Sequence, residues 1–153
     1  MIPFAQIQGE VVDAIAAHSY FDGITVLADN GLIDHEEEAA LGDEGTGVCV
    51  TVTFPLTASR VDAGPGLGAV AVEIGVQIRV NAERNAADDG AGKDIFELVN
   101  KAIGAVLGWR PASGPTKWVY KPASTVASFN PEREGEIGYD LFFSKMAAFK
   151  ESA

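Results

Sequence analysis

The chain has 153 residues, 47% hydrophobic and 22% charged, with a formal net charge of −11. That length suits one domain, 1–153, able to bury roughly 70% of its unfolded surface. Ten acidic residues precede the first basic one, Arg60, and such a surface disfavours groove binding to nucleic acid and adsorption on anionic lipid. It reads as a solubilising face, or alternatively as a surface for a basic partner or the wall of a channel.

Residues 3–18 predict a helix: Pro3 suits a first turn, and Phe4, Ile7, Val11, Val12 and Ile15 form one stripe. His18 then falls at the C-terminal end, where positive charge is favourable. Residues 24–28 predict a short strand between Asp22-Gly23 and Asp29-Asn30-Gly31, both turn signals. Residues 32–45 are acidic, with one turn of helix over 36–41. A second strand is expected over 48–57, where Val48, Val50, Val52 and Phe54 alternate with Cys49, Thr51 and Thr53, and Pro55 marks an edge. Residues 58–68, ending in Gly64-Pro65-Gly66-Leu67-Gly68, read as a connection.

The pattern is strongest from 69 to 109. Val70, Val72, Ile74, Val76, Ile78 and Val80 alternate with Ala71, Glu73, Gly75, Gln77 and Arg79, which puts the branched residues on one face. The twelve residues from Ala69 to Val80 span about 40 Å, twice a usual strand, so a hairpin arm able to pair with a neighbour is expected. A polar loop over 81–93 follows. Ile95, Leu98, Val99, Ala102, Ile103, Val106 and Leu107 then recur at helical spacing, and Gly108 terminates the helix. The helix stripe and the strand's apolar face are each other's simplest partners. Pro111, Gly114 and Pro115 make a turn. Short strands are expected at 118–121 and 125–129, interrupted by Pro122, and residues 131–135 form a charged turn. A closing strand runs over 137–149 with Tyr139, Leu141 and Phe143 on one face and Phe142 and Met146 on the other. Apolar residues on both faces predict burial on two sides, by the domain and by a neighbouring subunit.

Tests for chemistry give little. Gly90-Ala91-Gly92-Lys93-Asp94 lies where a phosphate loop would, but Ala87 replaces its leading glycine and Asp94 its magnesium-binding hydroxyl. Asp88 and Asp89 are better read as stabilising the helix N-terminus. The glycines at 64, 66 and 68 precede a strand, unlike a dinucleotide fingerprint. Asp34-His35-Glu36-Glu37-Glu38 lacks metal-ligand spacing and reads as a solvated turn. Cys49, the lone cysteine, reads as a small buried hydrophobe in a chain suited to a reducing cytoplasm. No local motif marks it as a nucleophile beside His18 or His35. Neither a signal peptide nor a membrane span is legible. No catalytic, cofactor or metal residue is therefore assigned.

The order of elements, the helix-ending Leu107-Gly108-Trp109-Arg110-Pro111 and the closing strand's Gly138-Tyr139-Asp140-Leu141-Phe142-Phe143 together resemble the tail terminator and minor tail proteins of long-tailed bacteriophages and prophages. The resemblance implies an α+β fold: a mostly antiparallel sheet with two helices packed on one face and a long hairpin arm. It implies a ring, typically hexameric, that caps the tail tube and joins it to the head connector, with DNA passing through without being gripped. It also implies a place in the virion tail, assembled in the bacterial host cytoplasm, with no membrane partner, no cofactor and no enzymatic activity. On this reading Val50, Val52, Phe54, Val76, Ile78 and Phe142 are expected at subunit interfaces. Asp34, Glu36, Glu37, Glu38, Asp43 and Glu44 are expected on an acidic surface or pore lining. Another head–tail neck or completion component, and a small enzyme or ligand-binding domain with a site beside residues 29–47, are the alternatives.

Overall fold

The computed structural model describes residues 4–31, 45–64, 67–109, 117–129 and 135–150. Two fifteen-residue strands, β4 (Leu67–Asn81) and β7 (Glu136–Lys150), pair antiparallel along their whole length, from Leu67 opposite Lys150 to Asn81 opposite Glu136. On the outer side of β4 lie β2 (Val48–Val52) and β3 (Leu56–Gly64), which follow one another along it. On the outer side of β7 lie β5 (Val119–Tyr120) and β6 (Val126–Phe129). A parallel strand, β1 (Thr25–Ala28), completes the seven by pairing with β2. Five of the six strand pairings among the described residues are thus antiparallel, and the expected α+β class holds.

Alternation along β4 sorts the sheet into two faces. Val72, Ile74, Val76, Ile78 and Val80 are buried, with Val48, Val50 and Val52 of β2 and Leu141 and Phe143 of β7 beside them in register. Two helices cover this face and touch each other: α1 (Phe4–Ala16), through Ile7, Val11 and Ile15, and α3 (Ile95–Gly108), through Leu98, Ala102 and Val106. Each fully buried Val, Leu, Ile or Phe here contributes about 1.5–3 kcal/mol relative to exposure. This layer is the core, and nearly all of it is aliphatic.

Two polar groups on α1 are buried in it. The Gln8 side-chain amide donates to the carbonyls of Asp29 (2.7 Å), Val52 (3.1 Å) and Thr53 (3.1 Å), tying the helix to the ends of β1 and β2. Gln8→Leu should cost about 1–3 kcal/mol, because it takes this donor from the partly buried Asp29 and Thr53 carbonyls, while Val52 O keeps the Asp29 amide (2.8 Å); urea unfolding measures it. Glu10 meets Lys145 of β7 at 3.4 Å, and the Lys145 ammonium also lies 5.0 Å from the ring centroid of Trp118. Both ends of that pair are buried.

Several local expectations are corrected. The connection read over 58–68 is mostly strand. β3 occupies Leu56–Gly64 and hairpins onto β4, with irregularities between Thr57 and Ser59 and between Asp62 and Gly64 that let a Gly-punctuated segment stay paired. The expected strand over 48–57 is in fact two strands, broken at Thr53-Phe54-Pro55. There the Thr53 hydroxyl accepts from the Gly75 amide (2.8 Å), and a Cβ at position 75 would stand 3.1 Å from that hydroxyl. The arm is accordingly a three-stranded ribbon of β3, β4 and the end of β7 instead of a two-stranded hairpin.

His18 lies two residues past the end of α1, and its Nδ1 accepts from the Tyr20 amide (3.2 Å), capping a 3-10 turn at Ser19–Phe21. Asp94, not Asp88 or Asp89, caps α3, accepting from the amides of Phe96 (2.8 Å) and Glu97 (3.2 Å). Asp89 instead holds Arg84 through two hydrogen bonds of 2.6 and 2.9 Å.

Candidate assembly surfaces

The segment between β4 and α3 is where a phosphate loop had to be tested, and its backbone is already spent on the fold. It opens with a short helix, α2 (Ala82–Ala86), capped by the Asn81 side chain. The Gly90 amide donates to Ala87 O (2.9 Å), Ala91 to Thr46 O (2.7 Å) and Gly92 to Asn85 O (2.8 Å). The Lys93 amide donates to Asn85 Oδ1 (3.0 Å), while Asn85 Nδ2 returns a bond to Lys93 O (2.7 Å). Four successive amides thus point at protein acceptors and none is left to cradle an anion. The Lys93 ammonium lies 4.3 Å from the centroid of the Tyr20 ring. Glycine is required at Gly90, where a Cβ would fall 2.0 Å from Arg84 O. The loop is a strut between β4 and α3.

Arg84 fastens the strut by a bond from Nε to Gly45 O (2.7 Å) and by its fork on Asp89. Those bonds hold the Asp89 carboxyl below its ordinary value of 3.8 and raise the Arg84 guanidinium, the shared hydrogen bond being the main cause of each. A depressed carboxyl contributes stability above its unfolded value and loses it as pH falls through the folded one. Thermal unfolding of the wild type should therefore lose a component on acidification below pH ~4 that Asp89→Asn lacks, since that variant has no proton to take up.

Nothing else in the described residues assembles into reactive chemistry. The Cys49 thiol is buried, and desolvation pushes its pKa up against a weaker opposing contact from the Thr51 hydroxyl, the reverse of what a nucleophile needs. Among the described residues no three His, Cys, Asp or Glu side chains converge on a metal-sized space, and no helix is long and apolar enough to cross a membrane. His35 and the acidic positions Asp34, Glu36, Glu37, Glu38, Asp43 and Glu44 lie outside the described residues.

The expected interface residues divide. Val50, Val52, Val76 and Ile78 are 0% exposed, under α1 and α3. They are core residues and present nothing to a neighbour, a correction to the expected interface: the alternating pattern marks a buried face without saying what buries it. Phe54 is exposed, and Phe142 lies half-buried on the opposite face of the sheet. That second face carries a different set of side chains. In register across it, Leu56, Glu73, Ser144 and Val119 form one row, Gly75 and Phe142 the next, and Thr51, Gln77, Asp140 and Val126 the third, with Ala71 and Met146 on the arm side. Leu56 is 58% exposed and Val119 60%, and Val126 and Met146 are also exposed. Sequence reasoning found Phe142 and Met146 from the closing strand's double periodicity. It missed Leu56, which falls within the strand expected over 48–57 but beyond its break at Thr53-Phe54-Pro55, and Val119 and Val126, which lie in strands of two and four residues.

The sheet also has unpaired edges. Among the described residues, β1 and β3 each pair on one side only, and so does β7 beyond Ser144. Such edges offer N–H and C=O groups to another chain.

No protein-family profile and no curated protein matches the sequence. The fold itself has a solved counterpart. A chain of the virion of a native gene transfer agent particle superposes with a TM-score of 0.58 at 14% identity, over 96% of this chain and 98% of that one. A chain from Akkermansia muciniphila, described as lacking its transmembrane region, superposes over 100% of this chain and 89% of that one at 14% identity; its TM-score of 0.35 is too low for an argument. At such identity the likeness to the virion chain is one of fold: end to end, this chain folds like a component of a virion particle.

Proposed function

We propose that this protein is a structural subunit of a phage or prophage virion, a tail-terminator-like ring component that caps the tail tube and joins it to the head connector. The observation that carries the reading is the near-complete overlap with the gene transfer agent virion chain, a match of whole chain to whole chain. Three features support it: sheet edges unpaired among the described residues, exposed apolar side chains on the face away from the helices, and a central loop whose backbone is consumed by the fold. The partners are further copies of this chain, in a hexameric ring, together with the tube protein and the connector. The excess negative charge suits a ring through which DNA slides without being held. No cofactor or reaction enters the proposal, and assembly takes place in the host cytoplasm.

Deleting the gene in a particle-producing host tests the role. Electron microscopy should then show tubes of uncontrolled length that fail to join heads. Particles of normal length and infectivity would contradict it.

A further inference from the structure

Resting on the assembly reading above, we infer that the sheet face opposite the helices is a contact between copies of this chain, with Leu56, Phe142, Met146 and Val119 among its apolar side chains. Charge selects the occupant. The chain carries −11 overall, so two copies repel at long range and favour contact through a surface without net charge. In the rows from Glu73 to Arg79 the charges cancel in opposite couples. Glu73 forms an ion pair with Lys121. Asp140 stands diagonal to Arg79 across β4 and β7, where burial raises its carboxyl and the Arg79 charge opposes that rise. Around these couples stand Leu56, Val119, Val126 and Met146, all exposed, while the Phe142 ring lies across Gly75, where a Cβ would be 3.4 Å from its edge.

A neutral centre with an apolar margin is complementary to itself and poorly suited to a basic or an acidic partner. The same strands bear the edges of β3 and of β7 beyond Ser144 that are unpaired among the described residues. Face and edge can therefore be covered together by one neighbouring subunit.

Sedimentation velocity of the full chain, across concentration and at low and high salt, tests this against Leu56→Glu and Val119→Glu. Lys101→Glu, on the exposed side of α3, is the control, and far-UV circular dichroism checks the fold of each variant. The wild type and control should self-associate, more tightly at high salt because screening relieves the repulsion. The two face variants should associate about tenfold or more weakly while remaining folded, as expected for a charge buried against a neighbouring subunit. Face variants that associate like the wild type would overturn the inference and leave the assembly role standing. A wild type that is monomeric throughout would overturn the second copy as occupant. Variants that assemble normally yet are excluded from particles would also overturn it, assigning the face to a different virion protein.

Discussion

Replacing Lys145 with methionine will lower the free energy of unfolding by about 3–5 kcal/mol, the usual cost of removing one partner of a buried ion pair. The ammonium is buried on the helix side of β7, 3.4 Å from the Glu10 carboxylate and 5.0 Å from the Trp118 ring centroid. Removing it withdraws the Lys145 charge from that carboxylate between α1 and the sheet. A second change decides whether the pair stabilises the fold or only fixes its arrangement. Glu10→Leu combined with Lys145→Met should recover most of the loss, since a well-packed apolar pair commonly equals or exceeds a buried ionic one. Urea unfolding of the wild type, both single variants and the double gives the coupling directly. A double variant as unstable as Lys145→Met alone would mean that the lost stability came from packing.

Val76→Asp will abolish folding, whereas Val119→Asp will leave a folded chain. Both are valines in strands of one sheet, and the difference lies in what covers them. Val76 is fully buried between Val52 and Leu141, under the helices, and an ionised carboxylate there has no partner. Burying one costs more than the whole stability of about 5–15 kcal/mol typical of a domain, so the chain unfolds or protonates the group. Val119 is 60% exposed and faces away from the core. Near-UV circular dichroism and urea unfolding should find no cooperative transition for the first variant and a wild-type-like one for the second. A cooperative, native-like Val76→Asp would mean that the two faces have been exchanged.

How much of this was legible in the sequence follows from what carried each signal. β4 and α3 were readable because their apolar periods, two and 3.6, run unbroken for many residues. The double-sided character of β7 was readable for the same reason. β3 was hidden because Gly64, Gly66 and Gly68 read as punctuation, whereas the chain tolerates Gly64 and Gly68 inside a paired ribbon whose register shifts. The helix cap was misplaced by five or six residues because three aspartates compete for it, and only geometry shows Asp89 already committed to Arg84. The interface expectation failed at Val50, Val52, Val76 and Ile78 for a more general reason. Periodicity reports that a face is dry, and a domain's own helices dry it as well as a neighbour does. Contacts between distant segments, such as Gln8 with Thr53 or Glu10 with Lys145, leave no trace in a single sequence.

Light scattering of the purified chain, alone and mixed with tube subunits, bears most directly on whether this protein acts by building. A discrete closed oligomer of about six times the 16.0 kDa chain mass is the predicted result, formed alone or on the tube. A chain that stays at 16.0 kDa under both conditions would contradict the account.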